Sequence, residues 1–349
     1  MKNVKRIAAI LLCLALVFAL AACSGSSNNA QNNTDATTEA AYDGETIKVA
    51  ALKGPTGMGM VYLMDNKNYD VTLVSDPTEI PALLTTGSVD IAACPLNLAA
   101  NLAKKTNGGV QMLGINTFGV LYLVTNEITV NSLSDLAGET IYMTGQGATP
   151  EYILNDLLKE AGVADQVKVE YLSEHSELAA KMASGEVKIG VLPEPFVTVA
   201  TSKNDKLSAA LSLTDVWNTY HKDTQLAQGC VIARSDFIKK NPAAVEAFIA
   251  DNKASVERVN SAPEAACDLM VSKGILDESL FTVSSDLSEK KQAAAKTELA
   301  VGLVGRCNIV FLDGQEMIDT ANANFGVYFN ADPASVGGAL PEDSLYYVK

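Results

Sequence analysis

The chain has 349 residues and carries 41 acidic against 26 basic side chains, a net charge of −15. That balance argues against nucleic acid or an anionic lipid surface as an electrostatic partner. The length is enough for two lobes, each with a sizeable core.

Lys2, Lys5 and Arg6 precede an apolar run, Ile7–Ala22, which is the charged and hydrophobic pattern of a signal peptide over residues 1–22. As a helix the run spans about 24 Å, short of the roughly 30 Å hydrocarbon core, so a permanent membrane span is the weaker reading. Its removal takes the net charge from −15 to −18. The segment ends Leu20-Ala21-Ala22-Cys23, which resembles the lipobox of bacterial lipoproteins. The resemblance implies a diacylglyceryl group on Cys23 as the mature first residue. Ser24–Asp43 is rich in Ser, Asn, Gln, Thr and Ala and too poor in apolar residues for a core. Residues 23–44 therefore read as lipid anchor and flexible tether, with a reach of roughly 25 Å.

Next comes a strand, Thr46–Leu52, the glycine-rich turn Lys53-Gly54-Pro55-Thr56-Gly57-Met58-Gly59, and an apolar helix, Met58–Met64. Such a turn offers backbone N–H groups to an anion at a helix start. It lacks the Gly-Lys-Ser/Thr of a nucleotide P-loop and the third glycine of a dinucleotide fingerprint. A similar turn, Thr144–Pro150, follows about ninety residues later.

Gly87-Ser88-Val89-Asp90-Ile91 and Gly185-Glu186-Val187-Lys188-Ile189 share a glycine, an alternating strand and a proline eight residues on, Pro95 and Pro193. Each sits between two helical stretches, so the pattern reads as two α/β lobes of like design. Val120–Thr125 and Gly229–Arg234 read as outgoing and returning connections. The expected division is therefore residues 45–125 with 229–349 as lobe one, and 126–228 as lobe two. From Ser235 onward the chain reads as mainly helical, with Val245, Phe248, Ile249, Val256 and Val259 on one helix face. The tail from Asp332 reads as irregular.

In open α/β sheets ligands lie beyond the carboxyl ends of strands. That places Lys53, Gly54, Thr56, Gly57 and Asn97 in lobe one, and Thr144, Gln146, Gly147, Ala148 and Glu194 in lobe two, as candidate ligand-binding residues. Glu194 is expected to repel an anion and to suit an amine or protonated heterocycle. Cys94, Cys230, Cys267 and Cys307 show no zinc or thioredoxin spacing; Cys267 and Cys307 fit either a disulfide or buried thiols. No metal, cofactor or catalytic residue is expected. His175 is expected in a solvent-facing turn, and Trp217 either lines the cleft or packs the second lobe.

Together these features resemble the substrate-binding proteins of ABC importers, in the nitrate/taurine/sulfonate/thiamine-precursor (NMT1-like) family. The carriers are the lipobox and tether, Ala51–Pro55, Gly87–Ala92, Pro193-Glu194-Pro195-Phe196 and Lys240-Asn241-Pro242. The resemblance implies an α/β, two-lobed type 2 periplasmic-binding-protein-like fold with two crossover strands. It also implies a monomer, lipid-anchored outside the cytoplasm, that captures a small organic or anionic solute (sulfonate, nitrate-like or pyrimidine-type) and delivers it to an ABC permease and its ATPase. A cleft enzyme of the same fold and a structural surface lipoprotein are the alternatives.

Overall fold

Apolar runs bounded by glycine and proline set the architecture. In the computed structural model, residues 42, 44–222, 224–283 and 285–349 are described, so the signal peptide, the lipidation of Cys23 and nearly all of the tether lie outside the described residues. The strands, in chain order, are β1 (Ile47–Leu52), β2 (Tyr69–Val74), β3 (Ile91–Pro95), β4 (Val110–Phe118), β5 (Leu121–Asn126) and β6 (Thr140–Met143). They continue with β7 (Lys168–Tyr171), β8 (Ile189–Pro193), β9 (Leu207–Ser212), β10 (Ala227–Arg234) and β11 (Ile309–Leu312).

Two sheets result. The first has the order β11-β4-β10-β3-β1-β2, the second β7-β6-β8-β5-β9. Aligning β1 with β6, β2 with β7 and β3 with β8 superposes the two orders. In each sheet a parallel trio at one end is followed by one antiparallel strand, β10 on β3 and β5 on β8. Both antiparallel strands are reached by a crossing from the other sheet. The repeated Gly-x-Val-x-Ile frame therefore marks equivalent strands: Gly87 and Gly185 turn into β3 and β8 with φ of 72° and 83°, a region where a Cβ is disfavoured.

The segment expected as the outgoing connection is itself an inner strand of the second sheet. Residues of β5 register with β8 (Leu123 opposite Val191) and with β9 (Leu123 opposite Leu211). The chain thus leaves the first sheet after Phe118, at Gly119-Val120, and re-enters it at Ala227, the start of β10. The helix expected over Met58–Met64 is broken as well. A short helix, Pro55–Met58, stops at Gly59, and a 3₁₀ segment, Val61–Asp65, follows. Strand β4 carries few turn or charge signals and had no counterpart in the sequence reading.

Burial explains the strand sequences. β3 and β8 are covered on both faces and read as near-continuous apolar runs, as parallel central strands must. The helix Leu96–Lys105 buries Leu96, Ala99, Ala100 and Leu102 and carries Lys104 and Lys105 in its last turn, where cations complement the helix dipole. Each buried leucine contributes roughly 2 kcal/mol. One apolar cluster runs unbroken from Ala50 and Ile115 in the first lobe to Ile141, Leu157 and Trp217 in the second. Trp217 is wholly buried, and its indole N–H donates to the Thr224 carbonyl at 2.7 Å, so it packs the second lobe. Cys94, Cys230, Cys267 and Cys307 are buried free thiols, and burial pushes Cys267 up to about 12. The tail returns to the first lobe: Tyr346 bridges Met112 and its hydroxyl donates to Asn322 at 2.6 Å. No helix among the described residues is long and apolar enough to cross a membrane.

Candidate functional site

The carboxyl ends of β1 and β3 face those of β6 and β8, and they meet in a fixed pairing. The turn after β3 meets the turn after β6, and the turn after β1 meets the turn after β8. Because β1 corresponds to β6 and β3 to β8, a pseudo-twofold relation exchanges these two seams. Their chemistry differs.

At the β3–β6 seam the lobes bond directly. Asn97, in the first turn of its helix, accepts on Oδ1 from the Thr149 N–H and hydroxyl, both at 3.0 Å. Its amide nitrogen donates to the Gly147 carbonyl at 3.2 Å. Asn97 and Thr149 are buried, at 2% and 0% exposure. The Gly147 N–H donates to the carboxylate of Glu151, which also accepts from the Tyr171 hydroxyl at 2.9 Å. The turn expected to cradle a ligand anion is thus filled by an acid from its own helix, as the dipole favours. Gln146 is exposed and Ala148 half-buried. Beside this seam, Tyr152 of the second lobe and Tyr328 of the first stand 6.5 Å apart.

At the β1–β8 seam there is space. A cavity of about 340 Å³ is lined by Lys53 and Gly54 on one side, Phe196 and Val199 on the other, and Leu276 and Leu280 beneath. That volume lies in the range of small-molecule sites, and its walls are mainly apolar with a cation at the rim. The β1 turn is held tightly. A Cβ on Gly57 would lie 2.0 Å from the Leu52 carbonyl oxygen, so the backbone approach requires glycine. The Thr56 carbonyl accepts from the Asn116 amide at 2.7 Å, tying the turn to β4. Larger hollows of 440, 460 and 450 Å³ lie on the first lobe alone. A site bounded by one lobe has no means of favouring the closed form, so the two-sided cavity is the candidate.

Three loops of the second sheet converge at this wall. His175, which opens the helix His175–Ser184, has Nδ1 at 2.5 Å from the Thr144 hydroxyl, and its ring lies 5.2 Å from that of Phe196. It is half-buried rather than solvent-facing, because Thr144 and the Phe196 ring pack against it. Burial lowers its pKa to about 4, so the ring is neutral near pH 7.

Glu194 is fully buried. Its Oε2 accepts from the Thr198 N–H at 3.2 Å and hydroxyl at 2.9 Å, and its Oε1 accepts from Arg306 Nε at 2.5 Å. The charge expected to meet an amine is therefore balanced by an arginine from the other lobe. Nearby, burial and then the charge of Glu194 raise the pKa of the Tyr122 hydroxyl. Hydrogen bonds from Ser279, with the charge of Lys203 assisting, hold the Asp277 carboxyl low.

Of the ten candidate ligand residues, Lys53 and Gly54 line the cavity, and Thr56 and Gly57 shape its turn. Thr144 reaches the wall through His175. Asn97, Gly147 and Glu194 are engaged with protein partners, while Gln146 and Ala148 belong to the β6 turn. Sequence reasoning passed over Val199, Leu276, Leu280 and Arg306. Only Arg306, a cation closing the apolar run Leu299–Gly305 at the end of its helix, gave any local signal.

Two α/β lobes joined by two crossings, with a cavity between the strand ends, define the periplasmic-binding-protein class of fold. The family model described as NMT1/THI5 like matches residues 66–266, and the chain belongs to that family. The fold is shared with an ABC transporter structure from Parabacteroides distasonis, at 24% identity and a TM-score of 0.70, covering 88% of this chain and 100% of that one. It is shared with the periplasmic aliphatic sulphonate binding protein SsuA from Escherichia coli, at 12% identity and a TM-score of 0.63, with coverage of 88% and 95%. The periplasmic nitrate-binding protein NrtA from Synechocystis PCC 6803 is similar at 14% identity and a TM-score of 0.52, with coverage of 66% and 67%. No curated protein matches the chain.

Proposed function

We propose that this chain is the solute-binding component of an ABC importer, capturing a small solute between its lobes and passing it to the permease. The observation that carries the reading is the 340 Å³ cavity bounded by the β1 turn of one lobe and the β8 turn of the other. Membership of the NMT1/THI5-like family supports it, as does the shared fold with sulfonate- and nitrate-binding proteins. Lys53 at the rim and the walls of Phe196, Val199, Leu276 and Leu280 suit an organic anion or a pyrimidine-type ring better than a bare inorganic ion. Glu194 is neutralised by Arg306, and the acid left in the lining is Asp277, so an anionic head would sit toward Lys53 and away from it. In this reading the protein is a lipid-anchored monomer outside the cytoplasm, held through Cys23, and performs no chemistry on the solute.

A thermal-shift screen of sulfonates, nitrate, pyrimidines, flavin precursors and amines tests the proposal. A solute that binds only the native state at a hundred times its Kd adds about 2.7 kcal/mol and raises Tm. One class is expected to raise it saturably and be recovered unchanged. A screen with no shift, or conversion of the bound compound, contradicts the reading.

A further inference from the structure

We infer that Arg306 and Glu194 form a latch across the β1–β8 seam, holding the lobes shut over the cavity before any solute arrives. The inference rests on the solute-binding reading and assigns the control of that same site.

The two residues come from opposite lobes. Glu194 follows β8 and sits at the start of the helix Phe196–Lys203; Arg306 is the last residue of the helix Glu289–Arg306. The arginine grips two groups at once, with Nε on Glu194 Oε1 and NH2 donating to the Thr198 hydroxyl at 2.7 Å. Thr198 in turn donates to Glu194 Oε2, so three side chains close one ring of hydrogen bonds across the seam. The Glu194 side chain is 0% exposed, whereas that of Arg306 is 44% exposed. That asymmetry gives the pair its sense. When the lobes part, Arg306 passes readily into water, but Glu194 is left as a buried carboxylate whose countercharge has gone, the costly way to break such a pair. Val199, one turn along from Pro195, packs against the first lobe's cluster of Ile275, Leu276 and Leu280, so the seam closes with apolar contact as well.

The latch is coupled to the cavity by the chain itself. Glu194 and Phe196 are two residues apart, and Phe196 is a cavity wall. Moving the β8 turn to release Arg306 moves that wall, and a solute that fills the cavity holds the turn in its latched position. A contact that favours the closed form without ligand shifts the equilibrium that solute binding completes.

The test uses the full chain without solute, read by hydrogen–deuterium exchange and by small-angle scattering. Arg306→Met is expected to speed exchange about tenfold in residues 196–203 and 274–280 together, and to raise the radius of gyration. Exchange in β10 should stay unchanged. Arg306→Lys, which keeps the charge but loses the fork, should fall between the two and serves if Arg306→Met does not fold. Adding Glu194→Gln to Arg306→Met should return part of the lost protection, because the buried charge is then gone. Unchanged exchange and radius in folded Arg306→Met overturn the latch. So does faster exchange confined to residues 196–203, which marks a helix cap and nothing more. Neither result bears on the solute screen, whose failure would be seen separately as an absence of any thermal shift.

Discussion

The two seams between the lobes are related by the pseudosymmetry of the fold, yet one is filled and the other hollow. At β3–β6 the side chain of Asn97 is consumed by Thr149 and Gly147, and the apolar cluster continues through the contact. At β1–β8 the lobes touch through Arg306, Glu194 and Val199 around a space of about 340 Å³. Equivalent turns have thus been given different tasks by a few side chains. Counted from the equivalent prolines, an amide two residues after Pro95 fastens the lobes, and an aromatic three residues after Pro193 lines a cavity. Glycine-rich turns alone do not tell the two apart.

The comparison can be broken at each seam. The largest effect is expected in the β1 turn, where Gly57→Ala would drive a Cβ to 2.0 Å from the Leu52 oxygen. Relief requires backbone movement, and a loss of about 3 kcal/mol in urea unfolding is expected. At the fastened seam, Asn97→Ala leaves the buried donors of Thr149 without a partner and should cost about 2 kcal/mol by the same assay. If the β3–β6 seam were merely adjacent surface, that loss would be near zero.

The smallest effect concerns His175 at the cavity wall. Its folded pKa of about 4 lies below the ordinary 6.5 of the unfolded chain, so the unfolded state binds the proton more readily. Stability is full above about pH 6.5 and falls as pH drops toward 4, by roughly 1 kcal/mol at pH 5.5. Chemical denaturation across that range should show the decline, and His175→Gln should flatten it. A profile unchanged by that variant would mean that the ring is not buried as described.

Much of this plan was legible in the sequence because punctuation and periodicity mark it. The Gly-x-Val-x-Ile frames located β3 and β8, and Val245, Phe248, Ile249, Val256 and Val259 all proved buried on one helix. The matching family model agrees with the resemblance carried by those motifs. What stayed hidden depends on contacts between distant residues. Arg306 and Glu194 are 112 residues apart, and nothing near either one announces the other. The Leu276 and Leu280 floor reads locally as ordinary helix-end apolar residues. Glu151 as the filler of its own turn was equally invisible, since an acid in a first helical turn suits the dipole whether or not it bends back. Strand β5 misled for a different reason: an apolar strand looks the same whether it connects two sheets or sits inside one.

Affinity for the solute found in the thermal screen, measured by titration calorimetry on three variants, tests the central claim most directly. Lys53→Ala and Phe196→Ala, one from each lobe, should each weaken binding at least about tenfold. Lys239→Ala, in the first-lobe hollow, should leave it unchanged. Binding that survives both cavity substitutions, or that is lost with Lys239, would contradict a solute held between the β1 and β8 turns.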